Sequence, residues 1–359
     1  MSRLIRAVID TGALRHNVRT IRERARGARV MAVVKANAYG HGLVPTALAL
    51  AEVDAFAVAR LEEGLALRAQ GITQPIVLLE GVFAAEQLLD AARHGFDLVV
   101  HDALQIEILE EDPGPHRFVL WVKIDTGMNR LGFRPGEFPA ALERLRNLKP
   151  APLEIRLLTH LARADEPDEP MTAEQVVRFK EAIRGLDCAI SIANSAGVFS
   201  ELHLGCDWVR PGLALYGASP FADKTGADLG LQPVMTLETS VIAVRDVPRG
   251  ETVGYGAAWQ AQRDSKVAIV AAGYGDGLPR GLPNGTPVLI DGRRAPLCGR
   301  VSMDMIAADV TELDPGVQVG TPAVLWGRGL PVEEIARHAG TIPYELLCGV
   351  RQRVPRELR

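Results

Sequence analysis

Cysteine is scarce in this chain: four in 359 residues, at Cys188, Cys206, Cys298 and Cys348. None forms a C-x-x-C pair, which argues against a zinc ribbon or a thioredoxin-like motif. So few in so long a chain argue against a disulfide framework. A basic excess is also missing. Forty Lys and Arg stand against forty-four Asp and Glu, a net charge of −4, which speaks against a general nucleic-acid binder. No run approaches the roughly 20 apolar residues of a membrane-spanning helix; Ala47–Ala51 sits beside Glu52 and Asp54. The N-terminus, Met1 to Arg6, leads into Asp10 and Arg15 without the apolar core of an export signal. A cytoplasmic protein without membrane or nucleic-acid partners is expected. What the chain does have, 47% hydrophobic and 23% charged residues, suffices for a large core and excludes disorder. Its length suggests about two domains.

From residue 28 to about 215, short apolar runs alternate with helical patterns. The runs are Val30–Val34, Ala55–Ala59, Ile76–Leu79, Leu98–Val100, Phe118–Ile124, Ile155–Thr159, Ala189–Ala193 and Trp208–Val209. Segments such as Leu61–Ala69 and Ala173–Ile183 carry apolar residues at helical spacing between them. Near-continuous apolar strands suit a parallel sheet buried on both faces, and eight of them alternating with helices predict a (β/α)8 barrel. An open doubly wound sheet is the competing architecture, but no G-x-G-x-x-G follows the first run. Beyond about residue 225 the texture changes. Val234–Val244, Ala268–Ala272, Pro287–Ile290, Met305–Val310 and Ala323–Trp326 read as strands between Gly/Pro/Asp turns, with helical spacing only near Val332–His338. The expected organisation is an α/β barrel over residues 1–225 and a β-rich domain over residues 226–359.

Barrels gather functional groups at the C-terminal ends of their strands. Those ends carry Lys35, Lys123 with Asp125, His160, Asn194-Ser195 and Arg210-Pro211-Gly212. No carboxylate pair is spaced for glycoside hydrolysis, and no metal-ligand pattern stands out. A lysine at a barrel mouth, with hydroxyl and backbone N–H donors elsewhere on the rim, suits an aldehyde cofactor that carries a phosphate, as pyridoxal phosphate (PLP) does.

At this point a resemblance becomes visible. Ala32-Val33-Val34-Lys35-Ala36-Asn37-Ala38-Tyr39-Gly40-His41-Gly42 resembles the PLP-attachment motif of the alanine racemase family. Lys123–Gly132, Thr159–Ala162, Val209–Gly217, Val253–Gly256, Gly273–Gly277 and Gly299–Asp304 resemble further family segments in the same order, from residue 7 to about 356. The attachment motif alone would indicate only the broader group of barrel-type PLP enzymes. Tyr255 and the Met303-Asp304 segment make the pattern specific. The family fold, a PLP barrel followed by a β domain, agrees with the organisation read from the chain.

The resemblance implies a homodimeric racemase that interconverts L- and D-alanine and supplies D-alanine for peptidoglycan. Racemisation removes the Cα proton and returns one to the opposite face, which requires an electron sink and two bases. Lys35 is implied to hold PLP as an aldimine and to act as one base, and Tyr255 of the second subunit as the other. A lysine ammonium and a phenol near pKa 10 both need burial or nearby cations for such work. His160, in contact with Arg210, is implied to supply that field to Tyr255. Arg210 is implied to face the pyridine nitrogen and to leave it unprotonated, which would weaken the sink and discourage side reactions. Tyr39, Ser195 and the backbone N–H groups of Ser195, Gly212 and Leu213, beside Asn194, form the implied phosphate cradle. Arg130 is implied to bind the substrate carboxylate and the cofactor's ring oxygen, with backbone at Met303 helping from the other subunit. Lys123 matches a lysine that is carbamylated in many family members, an anion able to hold Arg130. Asp165, Tyr274, Arg280 and Arg300 match the substrate entrance, and no metal is implied.

Each residue also has a plainer reading. Lys35 would be a surface lysine, Tyr255 a half-buried strand tyrosine, Arg210 an ion-pair member and His160 a satisfied interior histidine. Asn194-Ser195 would be a helix cap, a role compatible with the cradle. An unmodified Lys123 would need another anion near Arg130, for which Asp125 is available. Two positions depart from relatives: Gln352 stands at or near a tyrosine that reaches the phosphate, and Ser302 stands where several have cysteine. The rival functions are a PLP decarboxylase for basic amino acids, which would carry a triple glycine absent here, a broad-specificity racemase, usually exported, and a PLP-binding regulatory protein, which would lack the second domain.

Overall fold

The computed structural model describes residues 5–112, 114–166, 168–202, 205–313 and 315–359. Met1–Leu4, part of the N-terminal reading above, lie outside them. The first strand, β1 (Arg6–Ile9), joins a sheet formed by the far end of the chain, and α1 (Thr11–Ala25) follows it. Asp10 caps α1 by accepting the Ala13 amide at 2.9 Å.

The barrel then closes as expected. Its strands are β2 (Arg29–Val33), β3 (Ala55–Val58), β4 (Ile76–Leu78), β5 (Phe96–Val100), β6 (Val119–Lys123), β7 (Glu154–Leu158), β8 (Ile190–Ser191) and β9 (Trp208–Val209), and β2 pairs with β9 to shut it. Neighbours are parallel throughout, and β3, β4 and β5 are buried along their whole length, the reason their sequences lack alternation. Helices α2 (Lys35–Tyr39), α3 (Leu43–Ala49), α4 (Leu61–Ala69), α5 (Ala85–His94), α6 (Ala103–Glu110), α7 (Phe138–Arg146), α8 (Pro170–Ala182) and α9 (Ser195–Phe199) fill the crossovers.

The second domain is built on β10 (Met235–Val247), which alternates buried and half-buried residues. A small hairpin, β11 (Thr252–Val253) and β12 (Trp259–Gln260), precedes β13 (Ser265–Val270), β14 (Pro287–Ile290), β15 (Arg293–Pro296), β16 (Ile306–Asp309) and β17 (Pro322–Trp326). The helices α10 (Val332–Ala339) and α11 (Pro343–Gly349) and the last strand β18 (Arg356–Leu358) complete it. Helical structure therefore extends past the Val332–His338 segment read from the sequence. In the sheet β1 runs antiparallel to β10 (Arg6↔Glu238) and parallel to β18 (Ala7↔Arg356), so both ends of the described chain meet on one edge.

This return of the chain matters for the barrel mouth. Gly40, at the end of α2, has φ +81°, and a Cβ there would lie 2.1 Å from the Leu347 carbonyl oxygen of α11. Arg356 fastens the same junction, donating to the carbonyls of Gly40 (3.0 Å), Arg351 (2.8 Å), Val354 (2.7 Å) and Val350 (2.7 Å). The main apolar core runs through both domains, and a smaller cluster gathers Val247, Ala261, Val267 and Cys298 in the second.

Candidate active site

Lys35 stands where β2 ends, and the backbone after it is unusual. Ala36, Asn37, Ala38 and Tyr39 are L-residues in succession with φ of 54°, 55°, 52° and 51°. Left-handed backbone costs roughly 1–2 kcal/mol per such residue, so the surroundings must enforce it. They do: the Ala36 amide donates to Glu63 Oε1 (2.7 Å), the Leu43 amide to Asn37 Oδ1 (2.8 Å) and the Gly42 amide to the Asn37 carbonyl (3.0 Å). The turn sends Lys35 and Tyr39 into one cavity of about 680 Å³ at the barrel mouth.

Opposite Tyr39 lies a cradle of amides. Ser195 Oγ accepts the amides of Gly212 (2.9 Å) and Ala214 (3.2 Å), which commits its lone pairs and leaves its proton to donate. Asn194 caps α9 by accepting the Gly197 amide at 3.0 Å. Ser195 opens α9 and Leu213 opens a 3₁₀ turn, so their amides have no partner within those turns. A Cβ on Gly212 would come within 2.4 Å of Tyr39 Oη. Tyr39 cannot easily yield, since its ring is stacked on Tyr216 at 4.8 Å and tilted against Tyr344 at 5.9 Å. Burial raises the Tyr39 phenol well above its ordinary range, so it remains a donor.

Arg210 is buried, and its guanidinium is aimed by Ser191 Oγ (2.6 Å) and the Thr159 carbonyl (2.6 Å), with His160 Nδ1 at 3.5 Å. Burial lowers its pKa to about 10. Burial and then the Arg210 charge hold His160 well below the usual imidazole range, so it is neutral. With Nδ1 turned to a cation that only donates, the proton sits on Nε2.

Lys123 ends β6 and is buried; burial, then Arg210 and Arg130, bring it down to about 8 against the pull of Asp125. Asp125 does not neutralise Arg130. Its Oδ1 accepts the amides of Gly127 and Asn129, both at 3.0 Å, and shapes the loop instead. Among the described residues Lys35, Lys123, Arg130 and Arg210 all lack a carboxylate partner. The mouth is cationic.

The cavity wall thus unites Lys35, Tyr39, Lys123, Arg130, His160, Asp165, Asn194, Ser195, Arg210, Gly212 and Leu213. Tyr255, Met303, Tyr274, Arg280 and Arg300 are not on it. Four of these adjoin in the second domain: Arg300 packs on the turn holding Tyr255, with its Cζ 3.4 Å from a Cβ built on Gly256, and the Tyr274 and Gly275 amides donate to the carbonyls of Ser302 (3.0 Å) and Met303 (2.8 Å). Tyr255 is 69% exposed and Met303 54%. Gln352 is exposed and off the cavity wall. The sequence reading missed Ile342, Tyr344 and Cys348, which α11 and its cap bring to the wall. Burial, then Asp165, raises Tyr344 to about 12. No local motif marks these three; their place follows from the Gly40–Leu347 junction.

Two family models match the chain: Alanine racemase, N-terminal domain, over residues 9–220, and Alanine racemase, C-terminal domain, over residues 234–358. The chain is 50% identical to the alanine racemase of Aeromonas hydrophila over 350 residues, covering 97% of both chains. It is 51% identical to that of Nitrosococcus oceani over 352 residues, covering 98% of both. The crystal structure of the biosynthetic alanine racemase from Pseudomonas aeruginosa is similar along the whole of both chains, with a TM-score of 0.96 at 45% identity. The structure from Acinetobacter baumannii gives 0.93 at 42%, again over both full chains.

Proposed function

The chain belongs to the alanine racemase family and is a racemase; from that premise we propose that it interconverts L- and D-alanine, with pyridoxal phosphate, Lys35 and Tyr255 of the partner subunit. The observation that carries the reading is the convergence of Lys35, Arg210 and the Ser195–Gly212 cradle on one cationic cavity. The residues present fit the cofactor: the cradle is one that a Cβ on Gly212 would fill, and the surplus of cations suits a phosphate and a substrate carboxylate. Tyr39 and the Ser195 hydroxyl, with the amides of Ser195 and Leu213, would hold the phosphate, while the Gly212 amide serves Ser195 Oγ instead, and Arg210 would face the ring nitrogen. Bound PLP supplies the electron sink that makes the Cα proton of an amino acid removable.

This chain's own groups do the rest. Lys35 Nζ takes or returns the Cα proton on one face. The Tyr255 hydroxyl of the partner subunit does so on the other, beneath the field that Arg210 extends through neutral His160. Arg130 holds the substrate carboxylate, with the backbone at the partner's Met303 beside it. Lys123 is proposed to carry a carbamate. Its pKa near 8 leaves a reactive neutral fraction at pH 7, and the modified anion would take the position beside Arg130 that Asp125 leaves open. Asp165, with the partner's Tyr274, Arg280 and Arg300, would line the entrance.

The exposure of Tyr255 and Met303, away from their own chain's cavity, supports a homodimer with shared sites. No described helix is long and apolar enough to cross a membrane; a cytoplasmic enzyme feeding D-alanine to peptidoglycan is the role proposed. The division into residues 1–225 and 226–359 belongs to the same proposal, with β1 counted in the second sheet.

The test is exchange in D2O. Purified protein with PLP and L-alanine should lose Cα–H while optical rotation decays to zero. Exchange with retained rotation would leave one working base and overturn the two-base assignment; no exchange would overturn both roles. Mixing Lys35→Ala and Tyr255→Phe subunits should restore activity that neither possesses alone, because one hybrid site has both bases.

A further inference from the structure

Gln175 lies on α8 in the stripe Thr172, Gln175 and Phe179 and is wholly buried. Its side chain bonds two loops of the barrel mouth at once. Oε1 accepts the Ala162 amide at 2.8 Å. Nε2 donates to the His160 carbonyl at 3.1 Å and to Thr126 Oγ1 at 3.3 Å. Thr126 Oγ1 and Thr159 Oγ1 are 2.9 Å apart, and Thr159 Oγ1 donates to the Ile124 carbonyl at 2.8 Å. That last bond fixes the direction of the chain. Thr159 spends its proton on Ile124, so Thr126 must donate to Thr159 and accept from Gln175. The Thr159 carbonyl in turn receives Arg210 Nη2 at 2.6 Å.

Fastening a helix to a barrel requires only apolar packing, and a methionine would fit that role. Here a glutamine uses its oxygen and nitrogen on the His160–Ala162 loop and the Thr126 loop, whose continuation carries Arg130. We propose that Gln175 is a positioning residue, whose amide ties the loop bearing Arg130 to the loop bearing His160 and so fixes the His160–Arg210 pair. The proposal rests on the racemase reading for its consequence in catalysis, but its geometry stands apart from it. Loosening the tie lets His160 leave the charges that face it, namely Arg210, Lys123, Arg130 and Lys35, and regain water.

The experiment is Gln175→Met in the full-length protein as isolated. It keeps the side chain's bulk and removes its hydrogen bonds. His160 is followed by NMR of labelled histidine, assigned with His160→Gln. Wild type should keep a neutral His160 across the pH 5–8 window in which an ordinary imidazole titrates. Q175M should show an inflection there and lose roughly tenfold in kcat/KM for alanine, the scale of one or two buried hydrogen bonds. A folded Q175M with an unchanged His160 titration and kcat/KM within about twofold overturns the proposal. Thr126→Val breaks the chain one link further on and decides the matter if Q175M does not fold. T126V should move His160 in the same direction and Thr126→Ser should not; equal titrations in T126V and wild type also overturn it. If wild type does not racemise alanine, the functional reading falls while the titration still tests Gln175.

Discussion

The two ends of the barrel treat charge in opposite ways. At the bottom Trp121 and Trp208 meet edge to face at 5.8 Å, and the Arg156 guanidinium lies 5.2 and 5.3 Å from their ring centres. Arg29 covers Trp208 from 4.2 Å. Asp97 accepts the Trp121 indole N–H at 3.3 Å and pairs with Arg156 at 3.6 Å. Both of these arginines meet an aromatic face, Arg156 a carboxylate as well, and both indoles are buried. At the mouth four cations surround a cavity of about 680 Å³ without a carboxylate partner among the described residues. The bottom is neutralised for stability, whereas the mouth keeps a field that only an anionic guest completes.

The largest effect that would sharpen this contrast is Lys35→Ala. Losing a covalent attachment point and a base together should lower kcat/KM by about 10⁴ or more. The melting temperature, followed by circular dichroism, should hardly move, because Lys35 has no carboxylate partner among the described residues to lose. A variant that unfolded instead would place Lys35 in the architecture rather than the chemistry. The mirror image is Trp121→Ala at the bottom. Emptying that site should cost about 3–5 kcal/mol of stability in denaturant titration, while the folded fraction turns over alanine near the wild-type rate. Full stability would show that the bottom plug is not what holds the barrel.

The same contrast explains how much could be read from the sequence. Barrel strands such as Phe96–Val100 are buried on both faces, so they appear as apolar runs. Lys35, Lys123, His160, Ser195 and Arg210 were legible because each sits where such a run stops. β1 was not, since Arg-Ala-Val-Ile gains its meaning only by pairing with Glu238 and its neighbours, more than two hundred residues away. Tyr344 and Cys348 were hidden for a similar reason: α11 reaches the mouth only through its junction with Gly40. Gln175 did leave a trace, a polar residue in the apolar stripe of an amphipathic helix, but its two loops were not adjacent in the sequence. Tyr255 was legible by resemblance alone.

A smaller effect concerns Asp97. Burial first, against the pull of the Trp121 N–H and Arg156, raises it to about 6 from 3.8. A carboxylate with a raised folded pKa stabilises the protein below its unfolded value and loses that contribution as pH rises through the folded one. Wild type should therefore lose stability between about pH 4 and pH 6 relative to Asp97→Asn, by up to about 3 kcal/mol for a rise of this size. Racemase activity should be the same in both. Parallel stability–pH curves would mean that Arg156 holds Asp97 ionised through the whole of this window.

The smallest effect is read at the cradle, through Gly212→Ala. Its new Cβ would stand 2.4 Å from Tyr39 Oη, and the ring is held between Tyr216 and Tyr344. Overpacking of this kind typically costs about 1–3 kcal/mol, and here part of it should fall on cofactor binding. The apparent Kd for PLP, measured by reconstituting stripped protein, should rise about tenfold, which is about 1.4 kcal/mol. Tyr39→Phe separates the two ways in which this could arise. The Y39F ring has no oxygen for the new methyl to strike, so G212A should cost less in the Y39F background than in wild type, although Y39F alone weakens binding by removing a phosphate donor. Additive effects would mean that the alanine acts by stiffening the backbone amides of Gly212 and Leu213, and the close approach of Tyr39 to Gly212 would not be what shapes the cradle.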